Sequence, residues 1–204
     1  MHRNSKGSML TYVIIAFNLI VYGYTSIMSG NVIVTSRDVI LQYGQVNLLV
    51  MNGWYWQLFT AIFVHVDIVH LLGNMVFLLI FGLRTEELFS TFEYIAIYLL
   101  SGLTGNLLTL LLGPEMISAG ASGAIFGLFG ACTIYIRRTV GQSIMGALLY
   151  SFFLLVISSG RNVNILAHLG GLVAGLLVGY VLATKRKSRI VYEYSYHTSL
   201  DGYA

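Results

Sequence analysis

The chain has 204 residues, 57% of them hydrophobic and 9% charged, with a mean hydropathy of +0.79. A soluble domain carries about 25% charged residues, so the composition excludes an ordinary soluble protein and indicates an all-α polytopic membrane protein. The net charge of +3 comes from charges set between apolar runs, not from a patch, which excludes nucleic acid as a partner. The single cysteine, Cys132, excludes an intrachain disulfide and a cysteine-based metal cage, and reads as a small residue packed in a helix.

Residues 1–8 form a short polar tail. The first apolar run, Met9–Met28, is longer than a signal-peptide core and no clear cleavage site follows, so it reads as the first membrane helix. Ser29–Gln57 is the one long connection, and it is too apolar for a solvated loop. Its Trp54, Tyr55 and Trp56 favour the headgroup level, which predicts that part of it lies in the membrane interface beside the helices. The next stretches are Leu71–Leu83, with a less regular approach from Leu58, then Tyr94–Leu112 and Ile117–Ile136. Ser143–Ile157 is the shortest at about 22 Å, and Arg137 and Arg138 extend its reach by snorkelling. Ile165–Ala183 completes six spans in a membrane domain of residues 9–184. Residues 185–204, basic and then tyrosine-rich, are expected to form a flexible cytosolic tail whose basic run touches anionic lipid.

Lysine and arginine set the orientation. With the N-terminus inside, nine of them fall on inner segments, and only Arg37 and Arg161 fall on outer loops. Both termini are therefore expected in the cytosol. Spans two, four and six then run inward, which puts His70, Asn74, Ser122 and His168 in one outer layer. Ser122 falls about 8 Å and His168 about 5 Å below the outer edge.

The helical faces agree with that layer. His168, Gly171, Gly175 and Gly179 share a stripe, as do Ser122, Phe126 and Gly130, flanked by Gly123 and Gly127. Small residues let two helices approach closely, bringing the Ser122 hydroxyl within reach of a His168 ring nitrogen, the minimum for an activated nucleophile. His70 and Asn74, four apart, are donors suited to a developing oxyanion, with the Ser122 N–H as a third. No acidic residue stands in the outer half of spans four or six, so a dyad is expected in place of a triad, with Phe126 fixing the imidazole by ring packing. His65 beside Asp67 reads as structural bonding at the interface, and Asn18 and Asn106 as bonds between helices.

These motifs resemble those of the rhomboid family of intramembrane serine proteases. Trp54-Tyr55-Trp56-Gln57-Leu58-Phe59-Thr60 with His65, His70 and Asn74 is similar to the family's first outer loop and second span. Gly120-Ala121-Ser122-Gly123 fits its GxSG segment, and Ala167-His168-Leu169-Gly170-Gly171 with Gly175 fits its sixth span. The resemblance implies a six-helix bundle with a membrane-associated outer loop between helices 1 and 2. It implies Ser122 as nucleophile, His168 as general base and acid, and an oxyanion hole of His70, Asn74 and the Ser122 N–H. It further implies single-span membrane proteins as substrates and no metal or soluble cofactor. The expected location is the plasma membrane, with the charge-derived topology opening the active site outward. Three positions depart from the family pattern. Gln57 replaces an arginine, which is expected to loosen the loop. Leu88 replaces an arginine after Glu86, which is expected to remove an inner-loop ion pair. Phe126 replaces a tyrosine, keeping the ring without its hydroxyl. The competing readings are a non-catalytic membrane chaperone or adaptor that binds transmembrane segments, and a small transporter. No H-E-x-x-H occurs to suggest a metalloprotease.

Overall fold

The computed structural model describes residues 9–141, 146, 149, 150, 153 and 164–200. Helix α1, Leu10–Ser29, ends on Gly30, whose left-handed conformation (φ 62°) turns its N–H back onto the Ile27 and Ser26 carbonyls. Its first turn is capped from elsewhere in the chain. The Glu86 carboxylate accepts from Leu10 N at 2.8 Å, Thr11 N at 3.2 Å and the Thr11 hydroxyl at 2.5 Å. An anion there satisfies free amides and meets the positive end of the helix dipole.

The connection after α1 folds into α2 (Arg37–Tyr43), strand β1 (Gln45–Val46), α3 (Asn47–Met51) and α4 (Gln57–Thr60). Strand β1 pairs antiparallel with β2 (Ile117–Ser118), a small departure from the all-α reading. Val39, Ile40, Val46 and Val50 bury the connection against the helices, while Leu48, Met51, Tyr55 and Trp56 are exposed. Gln57 holds it rather than loosening it. The side chain is wholly buried, its Oε1 accepts from Val46 N at 2.9 Å, and its Nε2 donates to the Leu41 carbonyl at 2.8 Å. An uncharged amide supplies both an acceptor and a donor, which an arginine could not.

Helix α5, Ile68–Leu88, is N-capped by Asp67, and α6, Thr91–Thr109, begins with a Ser90–Glu93 capping box. A 3₁₀ turn, Leu110–Leu112, extends α6. Helix α7 is Ser122–Val140, and α8 runs from Ile165 to Leu200, so the helical backbone continues across residues 185–200. Four of these helices are long and apolar enough to cross a membrane among the described residues: α1, α5, α6 with its 3₁₀ turn, and Ile165–Arg186 of α8. They coincide with the first, second, third and sixth apolar stretches of the sequence. The fourth stretch differs, because Ile117–Ser118 is a strand and the helix starts only at Ser122. The fifth, Ser143–Ile157, lies outside the described residues except for Gly146, Leu149, Tyr150 and Phe153.

Helix α7 is enclosed. Every residue from Gly123 to Cys132 is buried, and Tyr94, Ile97, Leu71 and Leu78 form the core around it. Against α8 its packing is backbone on backbone. A Cβ on Gly171 would collide with the Gly123 carbonyl oxygen, one on Gly175 with that of Gly127, and one on Gly179 would lie 2.6 Å from that of Ala131. The register thus advances four residues at a time on both helices.

At the end of the bundle farthest from Ser122, Arg186 ties α8 to α6. Its guanidinium donates to Glu93 at 2.5 Å, to the Tyr135 hydroxyl at 2.9 Å and to the Leu88 carbonyl at 2.5 Å. The ion pair expected to be lost at Leu88 is thus replaced by one from α8, and Leu88 takes part through its backbone. Asn18 donates to the Ile14 carbonyl of its own helix and also interacts with the Tyr98 side chain of α6, while Asn106 donates to the Leu58 carbonyl and so holds the connection.

Two substitutions test this packing. Gly175→Leu forces α7 and α8 apart and should cost about 3 kcal/mol or more, whereas Gly73→Ala, with nothing within 4 Å of the new methyl, should be neutral or slightly stabilising. Thermal unfolding in detergent reads both. Gln57→Leu strands a buried amide and a carbonyl and should cost about 2 kcal/mol, with proteolytic cleavage within residues 31–56 reporting the loosened connection.

Candidate active site

Ser122 is the first residue of α7. The helix has no side-chain cap at Ala121, and its first intrahelical bond is Ile125 N to the Ala121 carbonyl at 3.0 Å. The N–H groups of Ser122, Gly123 and Ala124 precede that bond, so the hydroxyl sits beside the donor-rich end of a helix. Depth counted from Ile117 as a helical start does not apply, since an extended segment delivers the chain to Ser122.

Gly120 makes that delivery possible. Its φ of +137° is a conformation that side-chain-bearing residues rarely adopt. A Cβ there would also lie 2.7 Å from Cε1 and 3.0 Å from Nε2 of His70. The Gly120 N–H donates to the Ala61 carbonyl at 2.9 Å, which fixes the segment to the end of the connection. The His70 ring therefore lies against the backbone two residues before Ser122.

His168 is in the first turn of α8 and 3% exposed. Its Nε2 lies 2.7 Å from Ser122 Oγ, on partners 46 residues apart. The Phe126 ring, one turn along α7 from Ser122, packs on the imidazole with centroids 4.6 Å apart and planes tilted by 31°. His168 Nδ1 is buried with no hydrogen-bond partner among the described residues, so no carboxylate orients the ring there. Gly171 packs on Gly123 and Gly175 on Gly127, the α7 contact that brings the two helices to this distance.

The remaining expected residues divide. Asn74 donates one amide N–H to the His70 carbonyl at 2.8 Å, leaving its second N–H free of that bond. His65 is wholly buried. Its Nδ1 lies 3.2 Å from the Phe63 carbonyl, and its ring meets His70 edge-on at 5.4 Å. Burial first, and then the neighbouring His70, pull its pKa down to about 3, so it is neutral at physiological pH. Trp56 is half exposed and stacks on Trp54 at 4.9 Å. Among the described residues no hydrogen bond or ring contact joins it to Ser122 or His168.

A group beside the pair escapes motif reading. Asn164, immediately before α8, bonds to Thr109 of α6 and to Ser118 of β2. An asparagine directly ahead of an apolar run is a helix-start signal, which marks Asn164 but not its partners.

Apolar helices long enough to span a membrane, with a half-buried serine–histidine contact at one end, define a helical integral membrane protein of serine–histidine site geometry. The rhomboid domain matches residues 52–185, and the chain belongs to the rhomboid family. It is 32% identical over 182 residues to the rhomboid relative YdcA of Bacillus subtilis, covering 86% of this chain and 89% of that one. It is 31% identical over 182 residues to rhomboid protease GluP of the same organism, covering 84% of this chain and 34% of that protein. It is 37% identical over 146 residues to the mitochondrial RHOMBOID-like protein 6 of Arabidopsis thaliana, covering 69% of this chain and 48% of that one. The chain thus spans most of the first relative and a third to a half of the other two.

Gly120→Ala tests the approach to Ser122. The added methyl meets the His70 ring in a backbone conformation alanine resists, so the variant should unfold at lower temperature and react more slowly at Ser122 with a fluorophosphonate than wild type. The paired measurement is thermal unfolding and labelling rate per folded molecule.

Proposed function

We propose that the chain is an intramembrane serine endopeptidase that cleaves single-span membrane proteins. The observation that carries this reading is the 2.7 Å contact between Ser122 Oγ and His168 Nε2, at a helix N-terminus in a chain of the rhomboid family. In the proposed reaction the Ser122 oxygen attacks the scissile carbonyl while His168 Nε2 takes the hydroxyl proton. The tetrahedral oxyanion accepts hydrogen bonds from the Ser122 N–H and from the His70 and Asn74 side chains. His168 returns the proton to the leaving amine as the C–N bond breaks. A water then gives a proton to His168 Nε2 as its oxygen adds to the acyl carbon. The bond from that carbon to Ser122 Oγ breaks, His168 returns the proton to Ser122 Oγ, and the carboxylic acid leaves. Phe126 holds the imidazole plane in the place where a triad would use an acid. The chemistry calls for no metal or soluble cofactor.

The same proposal includes six spans in residues 9–184, an outer connection resting in the membrane interface, and both termini in the cytosol. It places the chain in the plasma membrane with the site opening outward. The bias of nine inner to two outer Lys and Arg residues supports that orientation. The exposed Leu48, Met51, Tyr55 and Trp56 support an interfacial connection.

In liposomes holding a single-span substrate, Ser122→Ala and His168→Ala should each lower cleavage by about 10⁴-fold or more, and chelators should change nothing. Full cleavage by a folded Ser122→Ala protein overturns the reading. A wild-type protein that captures transmembrane segments but never labels with a fluorophosphonate would instead be a non-catalytic adaptor.

A further inference from the structure

Asn164 sits where the two chain segments that carry Ser122 and His168 converge. Its side-chain oxygen accepts from Ala167 N at 3.0 Å and its main-chain carbonyl from His168 N at 3.3 Å, so it caps the turn that bears the imidazole. Its amide nitrogen donates to Thr109 Oγ at 2.6 Å and to Ser118 Oγ at 2.9 Å. Ser118 is four residues before Ser122, in the strand that pairs with β1. Thr109 is anchored in turn, because its hydroxyl donates to the Gly105 carbonyl at 2.9 Å and its own carbonyl accepts from Asn47 at 2.8 Å. Gly105 completes the circuit, since a Cβ on it would collide with the Ala167 carbonyl.

We propose that Asn164 is a positioning residue that fixes the separation of Ser122 from His168. Capping alone does not require asparagine. Serine and aspartate cap as well, but an aspartate carboxylate has no N–H to give Thr109 and Ser118, and a serine hydroxyl is too short to reach them while capping. Only asparagine combines the short capping acceptor with two donors on one planar group. The clamp acts between β2 and α8, whereas the glycine contacts act between α7 and α8, so the serine is held from both sides of its own turn. The kinetic consequence rests on the proteolysis proposed above; the geometric one does not.

The variant Asn164→Ser keeps a cap and removes the clamp. In liposome cleavage it should lower kcat about 10- to 100-fold per folded molecule, with KM changed by less than about twofold. Ser118→Ala should lower kcat alone but add nothing in the Asn164→Ser background. Arg186→Gln, at the far end of the bundle, should reduce thermal stability and leave kcat per folded molecule unchanged. A kcat for Asn164→Ser within about twofold of wild type reduces the residue to a cap and overturns the proposal. Should Asn164→Ser not fold, Ser118→Ala and Thr109→Val each remove one anchor and are read by the same criterion. The ¹⁵N resonance of His168 Nε2 provides a readout free of activity. Its hydrogen-bond shift should be present in wild type and lost in Asn164→Ser and in Ser118→Ala. A wild-type protein that cleaves nothing while this shift moves rejects proteolysis and upholds the clamp, whereas a shift unmoved by every clamp variant rejects the clamp.

Discussion

The close approach of the α7 and α8 backbones is the constraint on which the rest of the molecule depends. Lipid tails are as apolar as leucine, so two helices in a bilayer gain little from hiding side chains and must gain from contact itself. Gly123, Gly127 and Ala131 meet Gly171, Gly175 and Gly179 at a distance that leaves no room for another Cβ. With the backbones so near, each helix contributes its first turn to a common point, and Ser122 and His168 occupy those turns. Helix α6 enters the same arrangement, since Ser101 fills the space a side chain on Gly127 would need and Gly105 lies under the Ala167 carbonyl.

Around that point the polar groups are buried in an unusual concentration. Gln45, Asn47, Gln57 and Thr109 are wholly hidden, yet each makes hydrogen bonds to backbone or neighbouring amides. An unpartnered amide in such a place costs several times what a made hydrogen bond contributes. These bonds tie a connection that is irregular by its dihedral angles to the helices of the bundle. Among the described residues no acid reaches His168 Nδ1, and the imidazole packs instead on the Phe126 ring.

Much of this was legible in the sequence where the signal is periodic. The apolar runs place α1, α5, α6 and the start of α8 to within a few residues, and the four-residue glycine stripe after His168 identifies the face that meets α7. What periodicity misses is where an apolar run is not helical. Ile117 and Ser118 are apolar enough to pass for a span, but Gly120 breaks the helix with its positive φ, and the strand pairing to Gln45 and Val46 is a contact more than 70 residues distant in sequence. Gln57 is a related case: it bonds to the Val46 amide and the Leu41 carbonyl, which only the folded turn brings to it. At Leu88 the compensating cation, Arg186, comes from α8, 98 residues further along the chain.

Glu86 has a consequence for how the protein is made. Its carboxylate closes the first turn of α1 from 75 and 76 residues further along the chain. At ribosomal speeds of roughly 5–20 residues per second, α1 exists for about 4–15 s before its partner emerges. During that interval its leading amides have to be satisfied by water or headgroups at the membrane surface, so the helix waits with that end wet. Docking of α1 is thus deferred until α5 is in place, and the rhomboid-matched portion from residue 52 onward supplies the latch that ends the wait.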